Sequence, residues 1–212
     1  MGRGSAAADG WRHPTGGEPK RVAIVALGPS KYEYLEALTR HDGLRFDEVW
    51  TVNTGIRYVP ADLAFVMDDL RWFAARHPDY GRDLVETEIP IISNTAYPEF
   101  GRVFEYPLAA VLNWTDPAPK YFHHNSIPYL LAYAGMIGVE KLTLFGVDYS
   151  HPQADRVEAG REVCTFWLGV LAGRGVTIQI AGSSTLLQTD RRVSDPDFRH
   201  FYGFLYQPIV ER

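Results

Sequence analysis

The side chains best suited to chemistry in this 212-residue chain stand where apolar runs end and where helices are due to begin. Gly28-Pro29-Ser30 follows the run Val22-Ala23-Ile24-Val25-Ala26-Leu27. Glycine lets a backbone approach a ligand closely, and a helix starting after the turn offers N–H groups and a positive dipole end to a phosphate. The segment serves equally as a plain turn, and neither G-x-G-x-x-G nor G-K-[ST] is present. Asn53 ends a second run and suits hydrogen bonding to a base or ribose; Asp68-Asp69 ends a third and suits a hydroxyl, a cation or a helix cap. Adjacent carboxylates on a strand project to opposite sides and no His or Cys cluster accompanies them, so no metal site is expected. His123-His124-Asn125-Ser126 precedes a helix start, which makes His124 a candidate general base and Asn125 or Ser126 the cap. Asp148 ends another buried strand, where an acid needs partners, and His151, three residues on, is the rival base. Cys164 falls on an apolar helical face and reads as a small core residue, while Glu158, Arg161 and Glu162 read as a solvated face.

These residues need an architecture that brings strand ends together. The run at 22–27 is apolar without period-two alternation, as in a parallel strand buried on both faces, and Tyr32, Leu35 and Leu38 then recur at helical spacing. Further strands are predicted at 47–53, 63–67, 90–94, 103–106, 141–145 and 176–180, with helices at 70–76, 126–137 and 157–171. The first of these helices is expected to close at His77-Pro78, and 107–124, rich in Pro, Trp, Tyr and His, to form a long loop over the sheet's end. Strand and helix alternate, so an α/β, Rossmann-like sandwich with a mostly parallel central sheet is expected, its ligand site at the carboxyl ends of the strands. Residues 1–20 are expected to form a flexible tail and 21–212 a single nucleotide-binding domain.

A net charge of -5 argues against a dedicated nucleic-acid surface, and no apolar run is long enough to cross a membrane. The lone cysteine cannot form an internal disulfide, which fits a cytoplasmic location. The aromatic segment Phe198, Phe201, Tyr202, Phe204, Tyr206 suits packing in a homo-oligomer as well as on the chain's own core.

VAIVALGPS (22–30), VWTVNTGIR (49–57) and NSIPYLLAYAGMIGVEKLTLFGVDYS (125–150) resemble three blocks of the bacterial lipooligosaccharide sialyltransferases. Those proteins carry a strand followed by G-x-G-P-S, a strand ending in Asn near an Arg, and a Ser-initiated helix running into a strand that closes on G-[IV]-D-[FY]. The blocks are also similar to motility-associated glycosylation factors, to archaeal hydroxymethylpterin pyrophosphokinase and to small phage-encoded proteins. The resemblance implies a glycosyltransferase-like, three-layer fold in which Gly28, Pro29, Ser30, Asn53, Asn125 and Ser126 contact a nucleotide or nucleotide-sugar donor. It further implies a metal-independent transfer to an unknown acceptor, with a His base and tyrosines, here Tyr149, steadying the departing phosphate. A non-catalytic nucleotide-binding or sequestering protein and a pyrophosphokinase-type enzyme are the alternatives.

Overall fold

The computed structural model of the protein describes residues 11–40, 45–118, 125–150 and 154–187, without the side chains of 154–157. Seven strands, β1 (Arg21–Val25), β2 (Glu48–Val52), β3 (Leu63–Val66), β4 (Ile91–Ser93), β5 (Val103–Glu105), β6 (Lys141–Phe145) and β7 (Thr177–Ile180), form one sheet in the order β5-β4-β3-β2-β1-β6-β7. Every pairing is parallel, so all the carboxyl ends lie on one edge. The chain winds outward from β1 to β5 and then returns to the other side of β1 as β6. The switch point, where ligands bind in open α/β sheets, is therefore between β1 and β6.

Among the described residues six helices cover the two faces: α1 (Lys31–Arg40), α2 (Leu70–Arg76), α3 (Pro78–Glu86), α4 (Leu108–Thr115), α5 (Ser126–Met136) and α6 (Ala154–Gly173). Although β1 is apolar from Val22 onward, its side chains still alternate in direction: Val22 and Ile24 enter the core under α5 and α6, and Ala23 and Val25 pack with Tyr34 of α1 on the other face. In β3, Leu63 and Phe65 join the first core, while Ala64 and Val66 pack with Leu70, Tyr80 and Leu84 of α2 and α3.

One expectation is corrected, and two further features carried no signal in the sequence. The loop at 107–124 contains α4, a short helix whose N-cap position is Pro107, which has no side-chain acceptor to advertise a helix start. Pro78 does not merely close α2; it occupies the first turn of α3, where its missing N–H costs nothing. Residues Trp11, His13 and Thr15 pack against the body. The Trp11 ring meets Tyr133 edge-on at 5.4 Å, and His13 bonds Tyr133 Oη at 2.5 Å through Nδ1 and Glu48 Oε2 at 2.9 Å through Nε2. Glu48 also accepts from Thr15 Oγ1 and, at 2.7 Å, from Trp50 Nε1. Composition hid this because the apolar content of the segment rests on Trp11, while its polar anchors find their partners at the amino end of β2. Residues 1–10 lie outside the described residues.

Burial pushes the Glu48 carboxyl up, but the hydrogen bonds from His13, Thr15 and Trp50 outweigh it and leave the group below its ordinary value of 4.5. A carboxylate so depressed adds stability above pH 4.5 and loses that contribution as pH falls through the folded value. Glu48→Gln should therefore lower the unfolding free energy at pH 7 by about 1–2 kcal/mol. Thermal unfolding should show the gap from the wild type narrowing steadily below pH 4.5.

Candidate functional site

At the switch point the loops after β1 and β6 interlock. Gly28 N–H donates to Gly146 O at 2.8 Å, Ser30 N–H donates to Asp148 Oδ2 at 2.8 Å, and Gly146 N–H donates to Ser30 Oγ at 2.7 Å. Asp148 is 3% exposed. The next N–H groups, those of Lys31, Tyr32 and Glu33, bond Gly28 O, Pro29 O and Ser30 O. The amino end of α1 thus holds an anion supplied by the chain itself, and the polar groups of Ser30 are engaged within the fold. A Cβ on Gly28 would come within 2.2 Å of Asp148 Oδ2, and one on Gly146, already at φ +69, within 2.3 Å of Ala26 O. Glycine is required at both places by close approach of the two loops. The segment after β7 ties in above them: Ser184 Oγ donates to Val147 O, Thr185 Oγ1 to Asp148 O, and Glu33 accepts from the N–H groups of Gly182 and Ser183.

A second set of contacts joins β2, α5 and the β6 loop. Asn53, at φ +49, sits where β2 passes into the 3₁₀ turn Asn53–Arg57. Ser126 Oγ lies 3.5 Å from Asn53 Oδ1, at the long limit of a hydrogen bond. Asn125 is the N-cap of α5, its Oδ1 accepting from Ile127 N–H at 3.0 Å, and its Nδ2 donates to Tyr149 Oη at 2.6 Å. Tyr149, at φ +48, turns its phenol inward, where burial holds it far above its ordinary range and Cys164 is its other polar neighbour. Burial pushes the Cys164 thiol up to about 12, so it stays a thiol at neutral pH. Gly160 leaves room for this pair, since a Cβ there would meet Tyr149 at 2.8 Å and Asn125 Nδ2 at 2.9 Å.

Of the residues singled out in the sequence, Gly28, Pro29, Ser30 and Asp148 come together at the switch point, and Asn53, Asn125, Ser126 and Tyr149 beside it. Asp68 follows β3, exposed as a residue while its carboxyl is turned partly out of water, which pushes it upward. Asp69 caps α2, accepting from Arg71 and Trp72 N–H. His124 and His151 lie outside the described residues. Among the described residues no three metal-ligating side chains converge. Arg161, expected on a solvated face, is partly buried and donates to Tyr149 O at 3.1 Å. Helical periodicity carries no signal for that contact, because the acceptor is a backbone carbonyl of a distant loop.

No protein-family model and no curated protein matches the chain. Solved structures similar to it include the sialyltransferase CstII from Campylobacter jejuni in complex with the substrate analogue CMP-3FNeuAc, at 15% identity over 78% of this chain and 81% of that one, with a TM-score of 0.48. The sialyltransferase CST-II in complex with a trisaccharide acceptor and CMP matches at 16% identity over 78% of this chain and 83% of that one, with a TM-score of 0.47. A likeness of that degree assigns no residue a role.

The interlock makes its own demand on Gly28. Gly28→Ala should destabilise the protein by about 2–3 kcal/mol through overpacking. Asp148→Ala in the same chain should recover part of that loss, so that denaturant unfolding of the four species shows a coupling of at least about 0.5 kcal/mol.

Proposed function

We propose that this protein binds a nucleotide sugar along the carboxyl edge of its sheet and transfers the sugar to a hydroxyl-bearing acceptor. The observation that carries the reading is the Asn53–Ser126 pair. A strand-end amide in a left-handed conformation faces the first residue of a helix across 3.5 Å, and both groups are held loosely enough to turn to a ligand. Ile127 N–H is taken by Asn125 and Pro128 has no N–H, so Ser126 is the residue of that first turn suited to donate to a phosphate. The three sequence blocks that resemble the lipooligosaccharide sialyltransferases support the same reading. In such a transfer the bond between the anomeric carbon and the phosphate oxygen breaks, the nucleotide leaves with both bonding electrons, and a base takes the proton of the attacking hydroxyl. His124 and His151 are the sequence's nominations for that base.

One observation favours a second reading, a nucleotide-binding protein without turnover. Asp148 Oδ2 and the Tyr149 phenol, the carboxylate oxygen and hydroxyl nearest the switch point, bond Ser30, Asn125 and Cys164 within the fold.

The test is thermal unfolding against UDP, CMP, UDP-glucose and CMP-N-acetylneuraminate. A ligand at about 100 times its Kd should stabilise by about 2.7 kcal/mol. Asn53→Ala and Ser126→Ala should each remove most of that shift, and full stabilisation in both variants would refute the placement. Release of free nucleotide from a bound nucleotide sugar separates the transferase from the pure binder.

A further inference from the structure

Tyr80 lies in the core cluster beneath α2 and α3, 4% exposed, and among the described residues its hydroxyl has no hydrogen-bond partner. Leaving a buried hydroxyl unpaired is costly, and phenylalanine would fill the same space without that cost, so a tyrosine here calls for an external partner. The ring rises from the first turn of α3, which packs against the 3₁₀ turn carrying Asn53. Its ring shares a core cluster with Val66, two residues before Asp68, and lies 6.0 Å from the Arg57 guanidinium, so the hydroxyl stands at the carboxyl edge, where Asp68, Asp83, Arg57 and Tyr58 influence it. Burial together with the two carboxylates keeps the phenol protonated, able both to donate and to accept.

Asp68 supplies the complement. It ends β3, next to β2 and Asn53 in the sheet, and burial is the one influence resolved on its carboxyl. Arg57 does not neutralise it, because that guanidinium is paired with Asp83 while lying 6.0 Å from the centre of the Tyr80 ring. The Arg57–Asp83 pair is partly exposed, and ion pairs of that kind contribute little and move aside readily. An anion brought here would meet two carboxylates, whereas a ligand hydroxyl satisfies both groups at once by donating to Asp68 and accepting from Tyr80.

We propose that Tyr80 and Asp68 form a hydroxyl-recognising subsite at the end of β3 that takes a sugar hydroxyl of the ligand held at Asn53 and Ser126. The hydroxyl comes either from the ribose or from the transferred sugar. This rests on the nucleotide reading above, and the ligand's phosphate belongs at the start of α5 and not here.

Calorimetric titration of the full chain with UDP, 2′-deoxy-UDP and UDP-glucose, and with CMP, 2′-deoxy-CMP and CMP-N-acetylneuraminate, tests it in the wild type, Tyr80→Phe and Asp68→Asn. Both variants should weaken the hydroxyl-bearing ligand about tenfold, the loss expected for one buried hydrogen bond. If the ribose is the source, the 2′-deoxy forms bind all three proteins alike. If the transferred sugar is the source, the variants lose only the affinity that the sugar adds to the bare nucleotide. Free Tyr80→Phe should melt no lower than the wild type. A clear fall in its melting temperature would show the hydroxyl already satisfied inside the chain and overturn the proposal. Unchanged affinities in both variants would overturn it while leaving the nucleotide reading intact; no binding of any probe to the wild type would sink both.

Discussion

The Asp148 carboxylate, accepting the Ser30 N–H at 2.8 Å, joins two loops that leave neighbouring strands in opposite directions. In a sheet ordered β5-β4-β3-β2-β1-β6-β7, the connections from β1 and β6 diverge, which opens a crevice at their carboxyl ends. Here a side chain of the protein bridges that crevice. An anion at a helix amino end is favoured by the dipole, by up to about 2 kcal/mol where partly buried. The absence of side chains at Gly28 and Gly146 follows from the same contact, since a Cβ at Gly28 would collide with the carboxylate and one at Gly146 with the strand beside it. Both glycines, the serine and the acid form one unit, and the segment after β7 packs onto it through Ser184, Thr185 and Glu33.

That joint decides where an anionic ligand can go. With Asp148 at the start of α1, a phosphate there would face a carboxylate at close range, and the helix's first N–H groups are already bonded. The start of α5 differs. Asn125 caps it and is in turn braced by Tyr149, whose backbone carbonyl accepts from Arg161, so the helix end is fixed while Ser126 and Asn53 meet only across 3.5 Å. Tight bonds hold the frame and the loose contact is left at its centre, the arrangement expected where a ligand must enter without unmaking the fold.

Much of this was legible in the sequence, for physical reasons that also explain the failures. A strand buried on both faces has no need to alternate in polarity, so 22–27 announced a parallel strand directly, and the Asn125 cap with its following apolar positions announced α5. Helices α3 and α4 escaped because each starts at or beside a proline that serves equally well as a stop signal. Strand-end placement made Asn53 and Asp148 visible as candidates, and placement at a helix start made Ser126 visible. The direction in which they point depends on partners far along the chain, 73 residues between Asn53 and Ser126 and 118 between Ser30 and Asp148, and no local pattern encodes that.

The two ends of the sheet are satisfied to different degrees. At the amino end, the buried Glu48 has His13, Thr15 and Trp50 as donors, and His13 has Tyr133 as well, so a charged cluster sits in the core with its bonds made. Among the described residues, the buried side-chain atoms left without a partner are Asp148 Oδ1, Tyr80 Oη and Arg161 Nε. Asp148 belongs to the loop after β6, Arg161 reaches that loop at Tyr149, and Tyr80 sits beside the residues that follow β2 and β3, so all three belong to the carboxyl edge. Random imperfection would scatter such atoms over both ends. Their confinement to the edge where parallel sheets bind ligands supports the proposal made above: the amino end has its bonds made, and the carboxyl end has hydrogen-bonding capacity that a molecule from outside would use.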